Sequence, residues 1–265
     1  KSESKIIHRT KKSDRSLEIA KSINDPRVRV ISDGKNKKLA FRLNQIITEA
    51  KFSFIARMDA DDIMPTFRLE SQYNYLKSNP DIDLVTTGLC SLNKEDKVVG
   101  CRVVSDPELE LNTELLYSSK HNIVHASVLV RKSWYLRNAY DVSLPRSQDY
   151  ELWIRAFINN DLNIGFLPII GYYYREELSL TEDKMLNAYW ITEKILNKYR
   201  LDLNNVFKKK LVLYSKILLV RMLSKLSLLG VLLKRRSENK AVSNNILCEI
   251  SKEIESINKI ILPKF

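Results

Sequence analysis

The stretch 53-SFIARMDADDIMPTFRLESQ-72 decides how the rest of the chain is read. Three carboxylates, Asp59, Asp61 and Asp62, fall within four positions. They follow a strand-like run, FSFIARM (52–58), and precede a helix-like one, TFRLESQYNYLKS, which opens after Pro65 and stops at Asn79-Pro80. In extended backbone residues i and i+2 point the same way, so Asp59 and Asp61 can present two carboxylates to one side. Hard oxygen donors suit Mg²⁺ or Mn²⁺, and Mg²⁺ commonly takes one or two carboxylates while substrate phosphates supply the rest. The bland alternative is a solvated acidic turn capping the next helix. A calcium loop of the EF-hand type is excluded, because Ile63 and Met64 stand where it needs a ligand and a glycine.

Working outward, RVRVIS (27–32) reads as a strand, KKLAFRLNQIITEAK (37–51) as a helix and DIDLVTTGL (81–89) as the next strand. Strand alternating with helix predicts βαβ units, hence an α/β fold with a mostly parallel sheet covered on both faces. Ligands of such sheets bind beyond the carboxyl ends of the strands, where the acidic cluster sits. After Gly100, DPELELNTELLYSS (106–119) reads as helical, NIVHASVLVRKSWYL (122–136) as a strand entering a helix, SQDYELWIRAFINN (147–160) as a helix, and NIGFLPIIGYYYREELSLT (163–181) as a last strand with a loop. Beyond residue 186 or so the patterning is helical only.

The second polar constellation is LPRSQDYELWIR, in which Asp149 follows Gln148 at a helix start. Alone it reads as a cap. Beside a metal and diphosphate site it gains a second meaning, since transfer of a sugar needs a base to take the acceptor's proton. His125 is a lone histidine beside an apolar run, more often packed than catalytic.

Of the 265 residues 44% are hydrophobic, enough for one large domain or a domain with an appendage, and the net charge of +12 points to an anionic partner. No helix-turn-helix, zinc-finger or aromatic RNA-binding motif backs nucleic acid as that partner, and none is expected. Cys90, Cys101 and Cys248 show no CxxC spacing, so neither a disulfide framework nor a zinc site is expected, and a reducing cytoplasmic setting follows. Neither an apolar signal core nor a membrane-spanning run is read.

Together these stretches resemble a bacterial family-two glycosyltransferase with the GT-A fold. FIARMDADDIMPTFRLESQYNYLKSNPDIDLV is similar to its DxD region, and NIVHASVLVRKS with AYDVSLPRSQDYELWIR is similar to its acceptor half. The resemblance spans about residues 14 to 181 and implies a GT-A-like domain over 1–185, its first strand missing or altered, with a basic, leucine-rich helical region over 186–265. It implies that Asp59 and Asp61 hold Mn²⁺ or Mg²⁺ and the donor, Asp61 foremost for metal. It implies Asp149 as the base, with Gln148 in place of the family's glutamate. Arg57, Asp62 and Arg68 are candidates for donor contacts or loop support.

The implied reaction is inverting transfer from a nucleotide-sugar donor, a UDP-sugar above others, to a saccharide or polyprenyl-diphosphate-linked acceptor in surface polysaccharide assembly. The rival reading is a non-catalytic remnant of that fold. Departures from the family concentrate in KIIHRTKK, where Arg9, Thr10, Lys11 and Lys12 replace acidic and glycine positions, and in YYYREELSLT, where Glu176 and Glu177 stand in a loop that often carries histidine.

The tail (206–236) sets nine Lys or Arg among leucines. On a helical wheel Lys216 and Lys234 coincide while Lys225 lies opposite, so the charges do not share one face. Two readings stay open: helices packed on the domain and on each other, or a segment resting on anionic lipid. The resemblance adds peripheral contact at the inner face of the cytoplasmic membrane.

Overall fold

The computed structural model describes residues 5–8, 15–104, 106–107, 109–118, 121–175, 182–199, 203–226, 228 and 244–260. The family departures at Arg9 to Lys12 and at Glu176 and Glu177 lie outside them.

The expected alternation of strands and helices holds. In chain order the elements are β1 (Lys5–His8), α1 (Ser16–Lys21), β2 (Val28–Ile31), α2 (Lys38–Glu49), β3 (Phe54–Ala56), α3 (Arg68–Ser78), β4 (Leu84–Leu92) and β5 (Val98–Arg102). There follow α4 (Thr113–Ser118), a 3-10 turn (His125–Ser127), β6 (Leu129–Arg131), α5 (Lys132–Arg137), α6 (Gln148–Ile158) and β7 (Ile164–Arg175). Three helices close the chain: α7 (Glu182–Lys198), α8 (Leu203–Lys225) and α9 (Asn244–Asn258).

β1 pairs parallel with β2 in a sheet of two. In the five-stranded sheet β3, β4 and β7 run in one direction, while β6, inserted between β3 and β4, and β5, beside β4, run in the other. Nine-residue β4 is the spine, buried along its whole length. Among the described residues no strand joins the two sheets, so β1 and β3 each keep an edge without a strand partner.

The main core lies between the five-stranded sheet and its helices, with Leu84, Val130, Trp134, Leu152, Trp153 and Phe166 all nearly or wholly buried. A second cluster, Tyr117, Tyr150, Ile154, Ile191, Ile195, Leu196, Val206 and Leu213, binds α4 and α6 to α7 and α8. The expected division at 185/186 falls inside α7, and this cluster draws on both sides of it. A third brings α9 against β5 through Ile250 and Ile254.

Three expectations are corrected. Among the described residues of the stretch 106–119 only Thr113–Ser118 is helical, because Pro107 and the scattered apolar positions before Thr113 offer no continuous stripe to bury. β5 was not expected: the turn NKEDK folds it back on β4, with the Asn93 side chain accepting the backbone N–H groups of Glu95 and Lys97. That hairpin sets Cys90 directly opposite Cys101, Cα atoms 4.0 Å apart, and a disulfide joins them. Counting cysteines misses such a pair, because the register of the hairpin and not the spacing in sequence brings the two thiols together.

Candidate active site

Beyond β3 the backbone turns through Arg57–Asp62, and the far end of β7 holds that turn in place. Ile63 exchanges two backbone hydrogen bonds with Tyr173, each 3.0 Å. The Asp59 N–H donates to the Tyr172 hydroxyl at 3.0 Å, and an Arg175 guanidinium nitrogen donates to the Asp61 carbonyl at 3.1 Å. Asp62 faces inward, where its carboxylate accepts from the Tyr172 hydroxyl at 2.6 Å and from the Arg175 backbone N–H at 2.8 Å. Burial pushes the Asp62 carboxyl up to about 6, against the pull of those two hydrogen bonds. The carboxylate is spent on tying the loop to β7.

Asp59 and Asp61 are placed differently. Asp59 opens into a cleft of about 720 Å³ and takes an ion pair from Arg57 at 2.8 Å. Asp61 is exposed beside it, and among the described residues its carboxylate makes no hydrogen bond or ion pair. Arg57 is held from beneath: its carbonyl accepts from Arg68 at 2.9 Å. Arg68 is wholly buried, with Tyr172 under its guanidinium and Gln72 at 3.0 Å; burial without a carboxylate partner pulls it down to about 10. Of the sequence candidates, Arg68 therefore supports the loop and is sealed from the cleft.

Across the cleft stands the start of α6. Ser147 takes a left-handed conformation (φ 55°), which turns the chain so that Gln148 and Asp149 enter the cleft wall. Ser147, not Asp149, is the N-cap of α6, and no side-chain cap hydrogen bond forms there; Asp149 stands in the first turn, where the backbone N–H groups of Tyr150 and of Asp149 itself pull its pKa down. Desolvation among the surrounding atoms still raises its pKa, those hydrogen bonds and Arg57 opposing, although 40% of the side chain stays open to the cleft. Depth in a concave wall and access to solvent coexist here.

Sequence reasoning set His125 aside as a packed residue, and the structure puts it in the same wall. Its Nδ1 lies 3.8 Å from Asp149 and its Nε2 2.7 Å from the Tyr140 hydroxyl. Burial, then Arg57, hold its pKa well below the usual histidine range, so the ring is neutral at pH 7. Tyr172, Arg175 and Tyr140 carried no signal in sequence, since their roles come from β7 and from the loop before α6 reaching the acidic turn and His125.

Two buried polar atoms in the wall lack a protein partner, Nε of Arg57 and Oε1 of Gln148. Both residues line the cleft, but these two atoms are themselves sealed from solvent, so they are unpaired groups inside its wall. Metal donors are fewer: among the described residues no three His, Cys, Asp or Glu cluster as a cage. Asp59 and Asp61 fit a hard cation that takes one or two carboxylates and leaves its other positions to a ligand.

Residues 6–136 match the family model described as glycosyl transferase family 2. An uncharacterized glycosyltransferase of Methanocaldococcus jannaschii is 29% identical over 198 residues, 72% of this chain and 67% of that protein. The O-antigen biosynthesis glycosyltransferase WbnJ of Escherichia coli is 32% identical over 118 residues, covering 44% of this chain and 45% of WbnJ. Among solved structures, residues 1–349 of Staphylococcus aureus TarS in complex with UDP-GlcNAc superpose with a TM-score of 0.53 at 16% identity, covering 80% of this chain and 62% of that one. The chain thus spans between about half and two thirds of the length of these relatives.

Proposed function

Because the chain belongs to glycosyl transferase family 2, we propose that it moves a sugar from a nucleotide-diphosphate donor to a hydroxyl acceptor with inversion at the anomeric carbon. The observation that carries this reading is the cleft itself, which sets the acidic turn on one wall and the start of α6 on the other. Asp59 and Asp61 hold the donor's diphosphate side, and Asp149 serves the acceptor. Relatives support the substrate class: TarS is seen with UDP-GlcNAc and WbnJ is named for O-antigen biosynthesis. The finer proposal is a UDP-sugar donor and a saccharide or carrier-linked acceptor, built at a membrane face.

Asp149 accepts the proton as the acceptor oxygen attacks the anomeric carbon from one face, and the bond to the diphosphate oxygen breaks on the other. Its raised pKa makes it a stronger base than an exposed aspartate, while the helix N–H groups keep a usable ionised fraction. Arg57 lies between the two carboxylates: it pairs with Asp59 and lowers the pKa of Asp149. Gln148 puts a neutral side chain in the cleft wall where the family has a carboxylate. Mg²⁺ or Mn²⁺ on Asp59 and Asp61 would neutralise charge on the leaving diphosphate. Asp62 is a structural brace for the turn.

The test is calorimetric titration of UDP into the protein with and without Mn²⁺, on the parent and on Asp61→Ala. Binding that needs the metal and weakens at least about tenfold in the variant is expected. A folded parent that takes up no UDP would favour the remnant reading.

A further inference from the structure

α8 is apolar on two sides. Val206, Leu213, Ile217 and Val220 form a buried stripe on one side of the helix, which packs on α7 and α4. On another side Phe207, Leu211, Tyr214, Leu218 and Met222 recur at steps of four, three, four and four residues, and each is between 46% and 71% exposed. Two apolar stripes cancel in any wheel average, so charge positions alone could not reveal the second. Trp190 of α7, itself part-exposed, meets Tyr214 edge-on with ring centroids 6.3 Å apart and widens the patch. The charges are one-sided in sign: α8 carries Lys208, Lys209, Lys210, Lys216, Arg221 and Lys225 and no acidic residue. Lys208, Arg221 and Lys225 stand exposed beside the outer stripe.

We propose that this outer face of α8, with Trp190, is a docking surface for an anionic lipid bilayer, on which the helix lies in the plane of the interface. No helix of the described residues is long and apolar enough to span a membrane. A face of leucines and aromatics flanked by lysine and arginine matches the boundary between acyl chains and negative headgroups, where basic stems extend their charges outward. A second copy of the chain is the poorer occupant, because pairing the two faces sets Lys208, Arg221 and Lys225 against the same three, and the carboxylate at their edge, Glu193 of α7, already accepts from the Tyr214 hydroxyl. Nucleic acid would reward the cations and leave the apolar stripe in water. The proposal gives the membrane side of the functional reading a named surface, and it is read without substrate or turnover, so either can fail alone.

The experiment is flotation of the full 265-residue chain with vesicles of phosphatidylglycerol and phosphatidylcholine, against phosphatidylcholine alone. Binding is expected on the anionic vesicles only, weakening as salt rises. The variant Leu211→Gln/Leu218→Gln/Met222→Gln should bind about tenfold more weakly or worse. Lys208→Gln/Arg221→Gln/Lys225→Gln should lose about fivefold per charge removed. All six side chains are exposed, so thermal melting by circular dichroism should match the parent in both variants. Failure of the parent to float with anionic vesicles overturns the proposal, as does undiminished flotation of the apolar variant. A parent dimer that this variant turns into monomer, without vesicle binding, would assign the face to a second copy.

Discussion

The two sheets of this molecule are built to different standards. β4 is buried at all nine positions, with β5, β6, β7, α3 and the 3-10 turn packed against it, whereas β2 is only half-buried throughout. No residue of α1 or β2 enters any of the hydrophobic clusters. The difference shows where pre-organisation is concentrated. The acidic turn, His125 and Asp149 all hang from the five-stranded side, through β7, β6 and α6, and among the described residues none takes a hydrogen bond from β2. The proposed proton transfer would draw its geometry from the well-packed half. The β1–α1–β2 unit is tied to the end of α2 by Arg29, whose guanidinium donates to the Glu49 carbonyl at 2.9 Å.

The sharpest way to break this contrast is at Asp149. Asn in its place keeps the shape but takes no proton. Transfer should fall on the order of 100- to 10,000-fold with donor affinity nearly unchanged, measured as turnover beside UDP titration. A variant that transfers at the parent rate would remove Asp149 from the role of base.

Next in size is stability. Leu84→Ala in the wholly buried start of β4 should cost about 2–5 kcal/mol, while Val30→Ala in half-buried β2 should cost about 1 kcal/mol or less. Denaturant unfolding of both variants measures the gap. Native-state hydrogen exchange should show β2 amides opening well before those of β4. Equal costs would mean that the two-stranded sheet is tied to the core as firmly as the large one.

Much of this was legible in sequence because it rests on local pattern. The alternation of apolar periods located most strands and helices, and the crowded carboxylates after a strand marked the turn. The separation of Asp59 and Asp61 from Asp62 does not follow strand parity: β3 ends at Ala56, and the chain turns through Ala60 and Asp61, with the Asp62 N–H donating to the Asp59 carbonyl at 3.4 Å. What sequence did not carry was long-range pairing. β5 and the Cys90–Cys101 bond depend on the register of a hairpin. Tyr172 and Arg175 matter because β7 ends against a turn 113 residues earlier for each of their contacts to Asp59 and Asp62. His125 looked like any histidine beside an apolar run until the fold set it 3.8 Å from Asp149. The outer stripe of α8 was hidden for another reason: a helix apolar on two sides has no single face for a wheel to find.

The smallest expected effect tests how the turn is tied to the well-packed half. Asp62 has its carboxyl raised from 3.8 to about 6 by burial. Between roughly those two values the unfolded chain has released this proton and the folded one still holds it, so the folded state binds more protons across that window. Asp62 therefore contributes a loss of stability as pH rises from about 4 to about 6, flat above it. Asp149, raised in the same direction, adds to the slope, while groups such as Asp33, held low by Arg42, titrate below the window. The informative quantity is the difference between the parent and Asp62→Asn, followed by thermal melting across that range. Asn offers one carbonyl oxygen where the carboxylate accepted from both Tyr172 and Arg175, so the variant carries a pH-independent penalty for the lost acceptor. Its gap to the parent should narrow as pH climbs through the window, because only the parent pays desolvation of a charge there. A gap that stays constant would mean that Asp62 titrates alike in both states, and that the turn is less tightly enclosed by β7 than Tyr172 and Arg175 make it.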